Sequence, residues 1–139
     1  MKLLDLPKEK LVDIIEKLYQ NLIKEPKYDI YSKAFFTEYL KQTLEIYKRY
    51  KNMKITLLLF PFDETKINEI KIHIRKSDLL AKYDNAFAVL LFETGEMGTL
   101  KVKNKLEKII NKKGVMINIV IDQSVEEIIG EIENKIRIY

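Results

Sequence analysis

The sequence predicts an α/β chain of the α+β sandwich kind: one central sheet, mostly antiparallel, with helices packed on it. Three observations lead there. Long segments with apolar residues at helical spacing alternate with short apolar runs of strand length. Two of those runs lie either side of a tight turn signal and read as a hairpin. A chain of 139 residues has room for one domain around one continuous sheet and little else.

Residues 8–24 place Leu11, Ile14, Ile15, Leu18 and Leu22 on one face of an amphipathic helix, with Pro7 near its start and Glu25-Pro26 ending it. Ser32 suits the cap of a second helix running to about Lys51, with Phe35, Phe36, Tyr39, Leu40, Leu44, Ile46 and Tyr47 at a 3.6-residue period. Lys54 to Phe60 reads as a buried strand stopped by Pro61. Ile67 to Ile74 fits either period: Ile67, Ile70 and Ile74 suit a helix, whereas Ile70, Ile72 and Ile74 suit a strand. Asp78–Tyr83 and Phe87–Phe92 flank Asp84-Asn85-Ala86 and form the hairpin. A helix over about Met97 to Lys112 follows, with Gly114 expected as its left-handed C-cap. Val115 to Ile121 is a fourth strand. Ser124 then caps a closing helix whose first turn holds Glu126 and Glu127, where they favour the dipole.

Composition removes whole classes of chemistry. There is no cysteine, which excludes disulfide frameworks, zinc fingers, iron–sulfur sites and thiol nucleophiles. His73 is the only histidine, so no multi-histidine metal site can form. No apolar run approaches the roughly 20 residues that span a bilayer, and the N-terminus does not read as a secretory leader, so a cytoplasmic protein is expected. Hydrophobic residues make up 47% and charged residues 33%, which suits a packed core under a salt-bridge-rich surface. Twenty-five cations against 21 anions, with arginine only at positions 49, 75 and 137, argue against a nucleic-acid-binding stripe. Gly95 and Gly98 make no phosphate loop. The lysines at 101, 103, 105, 108, 112 and 113 are spread around the helix and read as a solvated face first and as a surface for an acidic partner or a nucleic acid second.

The hairpin carries a family resemblance. Arg75-Lys76-Ser77-Asp78-Leu79-Leu80-Ala81-Lys82-Tyr83-Asp84-Asn85-Ala86-Phe87-Ala88-Val89-Leu90-Leu91 resembles the signature R-x-S-D-L-x-A-R-Y-G-G-D-E-F-x-V-L-L of GGDEF domains, the diguanylate cyclases. The flanks match position by position, while the turn is one residue short and lacks Gly-Gly. Leu57 to Lys66 is similar to the family's first strand and its D-x-D-x-F-K end. Pro61 falls where the first metal-binding Asp belongs, and Asp63 and Lys66 match the second Asp and the Lys. Glu25 to Phe36 is similar to the family's opening segment, and Ser124 to Tyr139 to its closing helix. The resemblance therefore implies two parts: an N-terminal amphipathic helix (1–24) and a degenerate GGDEF-like domain of trimmed, cyclase-palm type (25–139).

The same resemblance sets the functional expectations. A cyclase half-site needs acidic metal ligands and glycines that let the backbone approach GTP. Here Pro61 and the shortened turn leave only Asp63, Glu64 and Asp84 nearby, so no catalytic residues, no metal and no cofactor are expected. The R-x-x-D motif that the family uses as an inhibitory site for its product is kept as Arg75 and Asp78. It implies cyclic di-GMP binding, with the arginine fork on phosphate or guanine and the carboxylate on guanine N–H groups. Lys71 or Lys76 would assist. The alternatives are a protein-interaction module on the same fold without nucleotide, with the N-terminal helix available for a partner or a second copy, and, least favoured, an active cyclase.

Overall fold

The computed structural model describes residues 27–49, 54–92, 94–120 and 123–139. The helix expected over 8–24 and its separation from the rest of the chain lie outside these residues. The described elements are helix α1 (Lys33–Arg49), strand β1 (Ile55–Pro61), a 3-10 turn (Glu64–Lys66), short helix α2 (Ile67–Ile72), strands β2 (Leu79–Tyr83) and β3 (Ala86–Phe92), helix α3 (Glu96–Ile110), strand β4 (Val115–Asn118) and helix α4 (Val125–Ile136). The strands form one antiparallel sheet in the order β2-β3-β1-β4.

The two central strands explain the unbroken apolar runs. A strand covered on both faces needs no polar alternation. β1 sends Ile55, Leu57 and Leu59 to one core and Leu58 and Phe60 to the other. β3 does the same with Ala86, Ala88 and Leu90 against Phe87, Val89 and Leu91. Helices α1 and α4 close the first core with Phe36, Leu40, Leu44, Ile128, Ile132 and Ile136. Helices α2 and α3 close the second with Ile67, Ile70, Leu106 and Ile110. The 67–72 segment is thus helical: Ile67 and Ile70 face the sheet while Ile72 is left 78% exposed. The edge of β2 is covered in part by the chain before α1, where Tyr31 N–H donates to the Leu80 carbonyl at 3.2 Å and Lys82 N–H to the Tyr31 carbonyl at 3.0 Å.

Both expected serine caps form. Ser32 Oγ accepts from Phe35 N–H at 3.1 Å and Ser124 Oγ from Glu127 N–H at 3.2 Å. The hairpin turn is tighter than its sequence suggests. Ala86 already pairs with Tyr83, leaving only Asp84 and Asn85 in the turn, with Asp84 at φ 52°. Two expectations fail: β4 ends at Asn118, short of the expected run to Ile121, and the cap of α3 is not Gly114. Helix α3 ends at Ile110, and Asn111, at φ 62°, supplies the left-handed cap assigned to Gly114. Asparagine tolerates that conformation through its short polar side chain. Gly114 has no positive φ and serves a different purpose, a close approach to Phe60.

Candidate functional site

Two places hold the residues the sequence singles out. The first is the end of the sheet where β1 runs out and the hairpin turns. Pro61 is still in the strand, in register with Ala86, and Phe62 N–H donates to the Asn85 carbonyl at 2.9 Å. Asp63 then spends its carboxylate locally, accepting from Thr65 N–H at 3.0 Å and from the Thr65 hydroxyl at 2.7 Å. The hydroxyl bond is the main reason its pKa falls below the ordinary carboxylate value. Asp84 is held by Lys33, with Nζ at 3.1 and 3.2 Å from its two oxygens. Lys33 also lies 4.7 Å from the centre of the Tyr83 ring, and Lys82 sits 5.1 Å from that of Phe62. Asn85 Nδ2 donates to the carbonyl of Tyr139, and the Tyr139 hydroxyl donates to the Leu59 carbonyl at 3.2 Å. A hollow of about 400 Å³ opens beside this end, lined by Tyr28, Pro61, Phe62, Asp63, Glu64 and Lys112 among others. Among the described residues no three Asp, Glu or His side chains converge as a metal site would require. Asp63 and Glu64 share the hollow, whereas Asp84 is engaged elsewhere.

The second place is the R-x-x-D bend before β2, and here the structure brings the two residues together. Arg75 Nε and Nη2 each lie 3.1 Å from an oxygen of Asp78, a bidentate fork. Asp78 N–H donates back to the Arg75 carbonyl at 3.0 Å, which closes the bend and sets the pair's geometry. The Arg75 Nη2 atom also donates to the Phe92 carbonyl at 2.9 Å and the Thr94 hydroxyl at 2.6 Å. Asp78 Oδ1 accepts from Phe92 N–H at 3.3 Å. The carboxylate is 3% exposed and the guanidinium side chain 55%. Its bond to Asp78 pushes the Arg75 pKa still higher, so the cation is permanent.

Pattern matching finds Arg75 and Asp78 but misses Thr94 and the Phe92 backbone. No local spacing links them, because they meet only when β3 returns beside β2. A smaller hollow of about 180 Å³ lies on the Asp78 side, lined by Tyr31, Lys71, Lys76 and Asp78. Lys71 is already 2.9 Å from Asp29. His73 is exposed and lies beside Lys101, Asn104 and Lys105. The aromatic run before and along α1 behaves as core and its margin: Phe36 is fully buried, and Tyr31 stacks on Phe35 with centroids 4.7 Å apart.

Two independent features therefore coincide, a sheet of β2-β3-β1-β4 order with helices on both faces and an R-x-x-D fork at the entry to its hairpin. Solved structures show the same fold. Diguanylate cyclase SiaD of Pseudomonas aeruginosa, solved with its activator SiaC, matches over 91% of this chain and 61% of its own, with a TM-score of 0.64 at 12% identity. The S helix-GGDEF-EAL portion of Vibrio cholerae LapD, bound to c-di-GMP, matches over 92% of this chain and 36% of its own, with a TM-score of 0.67 at 10% identity. The chain has a GGDEF-like fold and spans less than two thirds of either structure's length. No family model matches the sequence, and no curated protein matches it. Among the described residues no helix is long and apolar enough to cross a membrane.

Proposed function

We propose that this chain is a GGDEF-like signalling module that acts by binding and does not cyclise nucleotide. One observation carries the reading: at the end of the sheet where the resemblance would put metal and GTP, the polar groups are taken up by the chain's own contacts. Pro61 pairs with Ala86, Phe62 is tied to Asn85, Lys33 neutralises Asp84, and Asp63 caps a turn. The ligand we assign is cyclic di-GMP, held through Arg75 and Asp78. The internal fork divides their roles. Asp78 fixes the guanidinium, and Arg75 offers a phosphate the edge that Asp78 does not occupy, with Lys76 beside it. A solved neighbour bound to c-di-GMP supports the ligand class.

Calorimetric titration with cyclic di-GMP, alongside incubation with GTP and Mg²⁺, tests the reading. The wild type should bind the dinucleotide and make none from GTP. Arg75→Ala should weaken binding about 10- to 150-fold, the worth of one hydrogen bond to a charged group. Product that scales with protein and disappears in Asp63→Ala would overturn the non-catalytic assignment. Undiminished binding by Arg75→Ala would move the ligand to another surface. A protein-interaction module without nucleotide is the second reading. It is favoured by the fork itself, since the Asp78 carboxylate is 3% exposed and already bonded to Arg75 and Phe92 N–H; no cyclic di-GMP binding at millimolar concentration would put it first.

A further inference from the structure

The outer face of α3 carries a row that the nucleotide reading does not use. Lys101, Lys105 and Lys108 are exposed at spacings of four and three, which places them on one side of the helix. Lys112, just past the helix end, continues the row. From residue 96 to 113 there are six lysines and two glutamates. The second glutamate lines the hollow next to Lys108 and Lys112, but its carboxylate is taken up by other partners: Glu107 accepts from Lys103 at 3.1 Å and from Gly114 N–H at 2.7 Å. Among the described residues Lys101, Lys105 and Lys108 have no ion-pair partner, and Lys112 has none at bonding distance, although it shares a hollow with Asp63 and helps to lower that carboxyl's pKa. Favourable placement near a helix C-terminus accounts for Lys108, but not for Lys101 or Lys105, which lie further back.

The row has relief as well as charge. A hollow of about 450 Å³ runs beside it, walled by His73, Lys101, Asn104, Lys105 and Lys108. A second, of about 500 Å³, continues past Lys108 to Asn111 and Lys112. At the other end, Met97, one turn before Lys101, is 73% exposed, and Leu100, next to Lys101 and about 100° round the helix from it, is 38% exposed. We infer that this face docks an acidic amphipathic helix of a protein partner, its carboxylates along the lysine row and its apolar end on Met97 and Leu100. Carboxylates three and four residues apart rise about 5.4 Å per turn, as the lysines do. Phosphates on an extended nucleic-acid strand would also meet the lysines, so the apolar end decides between the two. It gives a nucleic acid nothing to pair with, and neither hollow is lined by an arginine or by a Phe, Tyr or Trp on which a base could stack. The inference stands whether or not cyclic di-GMP binds at Arg75.

The test uses the whole chain and a synthetic helical peptide with glutamates at i, i+4, i+7 and i+11 and two leucines at one end. A peptide of the same composition, with the glutamates spread around the helix, is the control. Fluorescence anisotropy at low salt should show the patterned peptide binding at least tenfold tighter than the control. Lys105→Glu with Lys108→Glu should abolish that binding, and Met97→Ser with Leu100→Ser should weaken it severalfold, while thermal melts stay unchanged. Equal binding of both peptides, or binding indifferent to the lysine reversals, would overturn the inference. So would tighter binding of a single-stranded oligonucleotide or of vesicles rich in anionic lipid, or no peptide binding at all.

Discussion

Replacing Asp78 by alanine should destabilise the fold by about 2–3 kcal/mol, the upper part of the range for hydrogen bonds to a charged group, because the cation left behind is half in water and not buried. The thermal midpoint should fall by roughly 10 °C. The cost has two parts. Arg75 loses the fork that fixes it against Phe92 and Thr94, and Phe92 N–H, at the end of β3, loses its acceptor. Arg75→Ala combined with Asp78→Ala should cost little more than Asp78→Ala alone, because the two side chains act as a unit. Circular-dichroism melts of the two single variants and the double variant measure this. An Asp78→Ala protein as stable as the wild type would mean the fork contributes nothing to folding and that its carboxylate is free to serve a ligand alone. The experiment thus bears on function as well as stability.

Gly114→Ala should cost about 2–3 kcal/mol, through overpacking. A Cβ at this position would lie 2.6 Å from Cδ1 of Phe60 and 3.0 Å from Cζ, and closer still to Cε1. Phe60 is fully buried between the sheet and α3 and has nowhere to yield. Gly130, on the exposed side of α4, is the opposite case. Nothing stands within 4 Å of its Cβ position, so Gly130→Ala should add up to about 1 kcal/mol from helix propensity. Denaturant melts of both variants check the pair. Trimming the ring with Phe60→Leu in the Gly114→Ala background should recover part of the loss. A neutral Gly114→Ala would show that the ring relaxes freely and that the close approach is not tight packing.

The sequence by itself determined the architecture. The three long helices and the four strands lie within a few residues of where apolar period, caps and turn residues place them, because those signals are local and each agrees with the sheet they build. Ser32, Ser124 and the Asp84-Asn85 turn are cases in point. The unresolved period at 67–74 was settled only by tertiary packing: Ile67 and Ile70 cover a sheet face, which leaves Ile72 in solvent. The helix stop at Asn111 was likewise invisible, since asparagine and glycine both suit the left-handed cap and only the path of the chain past Phe60 assigns their roles. At the fork the division is sharpest. The spacing of Arg75 and Asp78 is written in the chain, and with it the bend that makes them meet. The burial of the Asp78 carboxylate, and the bonds to Phe92 and Thr94 that turn a surface pair into a clasp, exist only because β3 brings residues 14 to 19 positions away alongside them. Charge and hydrogen-bonding capacity are properties of the residue, whereas which partner takes them up is a property of the fold.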